Sequence, residues 1–157
     1  MKFQKSKPLL GWREWVALPG LGIDRIKAKV DTGARTSALD TAFMEEFEQN
    51  GKRKVRFDLF SAKGDRGSRK RCTADIFASR WVTDSGGNRE NRVVIRTPVV
   101  IGSLEREIEI TLTNRNSMKF RMLLGRTAIR ENFVVNPGKS YLAGAPRTEK
   151  LPNNAGK

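Results

Sequence analysis

Apolar residues in this 157-residue chain come in short alternating runs broken by glycine turns, and no unbroken apolar stretch exceeds four or five residues. Ile26, Ala28 and Val30 alternate with Arg25, Lys27 and Lys29, the period-two pattern of a strand with one buried face. Val55, Phe57 and Leu59 repeat it, as do Ile108, Ile110 and Leu112 against Glu107, Glu109 and Thr111. Runs this short predict a small, mainly β domain: a closed or partly closed barrel of six to eight strands with one or two short helices. A membrane helix needs about 20 consecutive apolar residues, so none is expected. The start Met1-Lys2-Phe3-Gln4-Lys5-Ser6-Lys7 lacks the apolar segment of a secretory signal. The expectation is one cytoplasmic domain over residues 1–142 and a disordered polar tail over 143–157.

Turn chemistry divides the chain. Gly11 to Val16 reads as an N-terminal strand, and the strand at Ile26–Val30 runs straight into Asp31-Thr32-Gly33-Ala34. Asp40 or Thr41 is then placed to cap a short helix carrying Phe43, Met44 and Phe47, ended by Asn50-Gly51. Lys52 to Arg71 follows, with nine Lys and Arg against Asp58 and Asp65, half of the chain's net +14. It reads as a basic hairpin reaching to about residue 79, with its turn at Lys63–Gly67 and a return strand at Cys72–Phe77. A second hairpin runs out over Phe77–Thr83, turns at Asp84–Asn88 and returns over Arg92–Thr97. Val99–Ile101 and Ile108–Leu112 are two more strands joined at Gly102-Ser103. Phe120–Gly125 is an apolar strand, and Arg126–Asn132 should make two helical turns.

The chain has no His and a single Cys, Cys72. Zinc needs His, Cys or clustered carboxylates, and Ser-His-Asp or Cys-His catalysis needs an imidazole, so none of these is expected. Pro137-Gly138-Lys139-Ser140 mimics a phosphate loop, but the first glycine of that pattern falls on Phe133. No metal and no cofactor are predicted. Trp12, Trp15 and Trp81 read as packing residues, with Trp12 inside or at a dimer contact. Glu46, Glu90 and Arg92 are cleft candidates without a location.

Asp31-Thr32-Gly33 at a strand end is a weak motif alone, since Asp in such a turn often only bonds its own backbone. Its weight comes from Met122-Leu123-Leu124-Gly125-Arg126 some 90 residues later, with a glycine-tipped hairpin between. From Ile26 to Ile129 the chain resembles the retropepsin family of aspartic peptidases. It is more similar still to the bacterial retropepsin-like group that goes by the name ATP-dependent zinc proteases, through Lys29–Leu39, Thr111–Arg115 and Met118–Arg126.

The resemblance implies a retropepsin-like closed barrel and an aspartic endopeptidase, with Asp31 as the acid/base residue and Thr32, Gly33 and Ala34 as its loop. It implies a flap at Ser85, Gly86 and Gly87. Two carboxylates must share a proton in this chemistry, so a chain with one Asp-Thr-Gly implies a homodimer. Arg126 is expected to make a structural ion pair tying the post-glycine helix to the loop. Arg35 and Arg115 are candidate structural or substrate-binding cations, Arg35 standing where retropepsins usually carry an acidic or small polar residue. The group is often encoded beside ATP-grasp ligases that add glutamates to proteins. The implied substrate is therefore an acidic or glutamate-extended protein tail, and a functional link to such a ligase follows.

The basic hairpin fits a solvated surface, a guide for such a peptide, or a contact to RNA phosphates. A non-catalytic basic adaptor that keeps the fold and binds RNA or an acidic protein is the alternative.

Overall fold

The computed structural model describes residues 6–60, 69–83, 86–114 and 119–147. Its elements are β1 (Leu9–Leu10), β2 (Arg13–Leu18), a 3-10 turn (Pro19–Leu21), β3 (Ile23–Val30), β4 (Ser37–Asp40), β5 (Phe43–Gln49), β6 (Lys52–Phe60), β7 (Arg69–Asp75), β8 (Ala78–Thr83), β9 (Arg89–Ile101), β10 (Leu104–Thr113), β11 (Met122–Leu124), α1 (Arg126–Ile129) and β12 (Val134–Val135). The architecture is mainly β, as the alternation predicts. Its main element is a seven-stranded sheet of order β10-β4-β11-β3-β2-β9-β8, in which β9 also pairs with β10. A three-stranded sheet β5-β6-β7 and the short parallel pair β1-β12 complete it.

The alternating runs become buried faces of one core. Ile26, Ala28 and Val30 of β3 meet Ile108, Ile110 and Leu112 of β10, Met122 and Leu124 of β11, and Ala128 and Ile129 of α1. Val55, Phe57, Leu59 and Cys72 belong to the same cluster. The basic hairpin is therefore part of the fold and not an appendage. Burying a side chain such as Phe57, fully enclosed here, contributes about 1.5–3 kcal/mol.

Three expectations are corrected. The segment Phe43–Gln49 is a strand, not a capped helix. Asn50 and Gly51 adopt φ of 54° and 79°, the paired positive values of a two-residue hairpin turn, and Gln49 then faces Lys52 in register. In that strand Phe43 and Phe47 lie under the guanidiniums of Arg71 and Arg56, at 4.7 and 4.2 Å from the ring centres. Pairing to a partner strand thus overrides a weak helical spacing. Second, the return strand of the flap hairpin does not stop at Thr97, because β9 runs unbroken to Ile101. Pro98 is tolerated because the ladder with β8 ends at Val94 and that with β2 starts at Val100, so neither requires its missing N–H. Third, the helix after Gly125 is a single turn, Arg126–Ile129.

The fold also extends past residue 142. Buried Glu14 accepts from the Leu142 N–H (2.9 Å), the Ala143 N–H (3.1 Å) and the Gly11 N–H (2.6 Å). The Arg147 N–H reaches the Gly102 carbonyl at 2.8 Å. Residues 143–147 are therefore held against the domain, whereas the rest of the predicted tail, 148–157, lies outside the described residues, as does the Lys63–Gly67 turn.

Candidate active site

β11 slots between β3, to which it is parallel, and β4, to which it is antiparallel. The loop connecting β3 to β4 carries Asp31, so the chain leaving β11 at Gly125 comes directly against that loop. The contact is a set of backbone bonds. The Asp31 N–H donates to the Leu124 carbonyl (2.9 Å), the Arg126 N–H to the Ala34 carbonyl (2.8 Å) and the Thr127 N–H to the Arg35 carbonyl (3.0 Å). The Gly125 N–H donates to Ser37 Oγ at 3.0 Å. Gly125 has no room for a side chain: a Cβ there would stand 2.5 Å from the carbonyl carbon and oxygen of Thr36.

Within the loop the Gly33 N–H donates to Asp31 Oδ1 at 3.0 Å, which leaves Oδ2 of the half-buried carboxylate without a partner among the described residues. A Cβ on Gly33 would come within 3.3 Å of that same Oδ1. Arg126 Nη1 donates to the exposed Thr32's carbonyl at 3.0 Å. The tie from helix to loop thus exists, but it ends on a carbonyl, and among the described residues Arg126 has no carboxylate partner, contrary to the expected ion pair.

Asp31, Gly33, Ala34 and Arg35 line one open cleft of about 1080 Å³ together with Gly86 of the flap hairpin. Gly87, at φ 88°, makes the turn beside it. Ser85 and Arg115 lie outside the described residues. Sequence reasoning left the far wall unplaced. It consists of Arg80, Trp81 and Val82 from β8, Arg92 and Arg96 from β9, and Glu107, Glu109, Thr111 and Thr113 from β10. Arg80 pairs with Glu109 at 2.6 Å and Arg96 with Glu107 at 3.2 Å. Arg92, 8 % exposed at its side chain, holds Glu90 at 2.9 Å, while Arg35 has no carboxylate partner among the described residues. The Thr113 hydroxyl in this wall is buried and has no hydrogen-bond partner among the described residues. Alternation along β8, β9 and β10 was legible, but which of their faces meets Asp31 is set by pairing across the sheet. Glu46, by contrast, sits on β5 with Arg53 and outside the cleft. Trp81 is 63 % exposed on the cleft rim and not a packing residue.

The donor set does not fit zinc. Cys72 is buried in the core, Glu107 and Glu109 are engaged by arginines, and among the described residues no three His, Cys, Asp or Glu gather as ligands.

A model of the RimB-like family, retropepsin-like aspartic endopeptidase RimB, matches residues 9–146. The chain belongs to this family. It is also 38% identical over 146 residues to a probable alpha-L-glutamate ligase of Desulfotalea psychrophila, covering 93% of this chain and 32% of that protein. A probable alpha-L-glutamate ligase of Shewanella pealeana is 39% identical over 139 residues, with 88% and 30% covered. The chain thus spans about a third of the length of the curated relatives it matches. A crystal structure from Legionella pneumophila, of protein Lpg0085 with unknown function, shares the fold with a TM-score of 0.72 at 24% identity, covering 88% of this chain and 99% of that one. The family is retropepsin-like, as the resemblance over Ile26–Ile129 implies.

Proposed function

We propose that this RimB-like chain is an aspartic endopeptidase that cleaves acidic, glutamate-extended protein tails in the cytoplasm. The observation that carries the reading is the position of Asp31. Its carboxylate stands in the arginine-walled cleft, on a loop tied through three backbone hydrogen bonds and the Arg126–Thr32 bond to β11 and the segment leaving it. One carboxylate oxygen is occupied by the Gly33 N–H, so the other is left to hold the water. A single Asp31 cannot share a proton with itself, and a two-fold dimer supplies the second from the other copy. With one carboxyl protonated and one ionised, the ionised group takes the proton of the attacking water. The protonated one donates to the scissile carbonyl oxygen. The Thr32 hydroxyl, on an exposed loop, would brace the paired loops. Ser85, Gly86 and Gly87 would fold over the bound peptide and exclude water.

Arg35, free of any carboxylate among the described residues, would receive a glutamate beside the scissile bond. Arg80 and Arg96 would exchange Glu109 and Glu107 for substrate carboxylates. The glutamate-ligase description of relatives three times as long supports a partner activity that builds the tails this site trims.

The test is incubation of the full chain with peptides carrying oligoglutamate extensions and with neutral peptides of equal length, new amine termini being read by mass spectrometry. Cleavage of the acidic set is expected, and Asp31→Asn should reduce it by more than a thousandfold with the melting temperature unchanged. Activity within tenfold of the parent in that variant overturns the assignment of Asp31. Absence of cleavage by a verified dimer favours the non-catalytic adaptor.

A further inference from the structure

Much of the charge in the densest basic run of the sequence is compensated within its own sheet. Arg53, Lys54, Arg56, Arg69 and Arg71 are each matched to a carboxylate of the same three-stranded sheet: Glu46, Asp75, Glu45 and, for the last two, Asp58. The outward face of β2 and β3 is different. Ile26, Ala28 and Val30 point into the core, so Arg25, Lys27 and Lys29 share the opposite face, and Arg13 and Trp15 stand across from Lys29 and Lys27 in register. Among the described residues none of these four cations has a carboxylate partner. Three of them, Arg13, Arg25 and Lys27, lie over rings instead, and Arg13 Nε also donates to Ser140 Oγ at 3.1 Å. The Arg13 guanidinium lies 4.6 Å from the Trp12 ring centre and 5.0 Å from that of Tyr141. Tyr141 stacks on Trp15 at 5.8 Å, and Arg25 (4.4 Å) and Lys27 (5.4 Å) cover Trp15.

We propose that this face is a docking surface for an extended acidic peptide segment, outside the cleft and leading to it. The choice of acidic peptide rests on the substrate class proposed above; the location does not. A cation seated over an aromatic ring is restrained in position while its charge stays unpaired, which lowers the ordering cost of gripping an anion. Arg25, Lys27 and Lys29 repeat about every 6.6 Å along the strand, the same-face repeat of an extended peptide, so alternate glutamates meet successive cations. The ring of Trp15 has Tyr141 against it and cations over it, which leaves no free platform for a nucleobase and disfavours RNA. Lys29 stands two residues before Asp31, so the row of cations ends beside the loop that carries the cleft carboxylate.

The test is binding, not turnover. Fluorescein-labelled deca-glutamate is titrated by anisotropy at low salt into full-length Asp31→Asn chain, with Arg25→Gln/Lys27→Gln/Lys29→Gln added in a second protein. The expected result is a Kd raised tenfold or more, with the affinity of the parent falling as salt rises. A change under fivefold overturns the surface. If the triple variant melts early, Lys29→Glu alone, at an exposed residue outside the ring stack, should still raise Kd at least threefold, and a smaller change overturns it. Tighter binding of a ten-nucleotide oligoadenylate RNA than of deca-glutamate, lost in the same variant, overturns the peptide assignment. Cleavage of oligoglutamate peptides with unchanged binding in the variant refutes this face alone, while intact binding without any cleavage by the parent refutes the peptidase reading alone.

Discussion

Gly125→Ala tests whether the apolar-Gly segment truly sets the Asp31 loop. The added methyl would stand 2.5 Å from the Thr36 carbonyl carbon and oxygen and 3.0 Å from the Ser37 nitrogen. Ordinary contact begins near 3.4 Å, so the two segments must separate by about 1 Å, and the obstacle is backbone that cannot rotate away. Overpacking of this kind costs about 1–3 kcal/mol. The separation also strains the Gly125 N–H bond to Ser37 Oγ and the Arg126 N–H bond to Ala34, at about 1 kcal/mol each. Together the loss is about 3–5 kcal/mol, a large share of the 5–15 kcal/mol a domain has. At roughly 2–4 °C per kcal/mol, the melting temperature should fall by about 6–20 °C, read by circular dichroism with urea titration as a check on constant m. A 1 Å shift of the loop should cost cleavage about a hundredfold in whatever fraction remains folded. Gly51→Ala is the control. Its φ of 79° strains any side chain, but nothing lies within 4 Å, so it should cost only about 1–2 kcal/mol and leave cleavage unchanged. A Gly125→Ala chain melting within 2 °C of the parent would show that the close approach does not exist.

Three further outcomes are expected. Glu14→Gln replaces a fully buried carboxylate that accepts three backbone N–H groups with an amide that cannot accept at both oxygens, costing about 2–4 kcal/mol; limited proteolysis should then cut within residues 142–147, and a protected segment there would contradict the clasp. The hydrogen bond from Arg71 holds the Asp58 carboxyl below its ordinary value, against the opposing effect of burial and helped by the charges of Arg71 and Arg69. A carboxyl depressed on folding stabilises above its unfolded value, about 3.9, and loses that contribution as pH falls through the folded one; the melting-temperature gap between parent and Asp58→Asn should therefore be flat from pH 7 to 5 and shrink below 4, and a gap that widens there refutes it. Burial pushes the Cys72 thiol up, so a disulfide reagent should react with it only at the rate at which β6 and β7 open, and labelling as fast as in urea would contradict its burial.

Period-two alternation determined the strands that matter most, because a residue's side of a strand depends only on its neighbours: β3, β6, β10 and their inward sets were legible, as was the glycine-tipped hairpin. Asp31-Thr32-Gly33 and Met122–Gly125 were legible as a pair because both are local motifs, and both lie within residues 9–146 that match the RimB-like family. What local pattern could not decide was partnership between strands. Phe43–Gln49 looked helical until Asn50-Gly51 folded it onto β6, and that pairing laid Glu45 and Glu46 against Arg56 and Arg53, offsetting part of the charge of the segment where it is densest in sequence. The cleft wall of Arg80, Arg96, Glu107 and Glu109, and the stack of Arg13, Trp15, Tyr141 and Arg25, each draw on residues far apart in the chain. Charge and ring contacts act through space within a few ångströms, so the tertiary structure alone decides which cations are neutralised and which remain to bind.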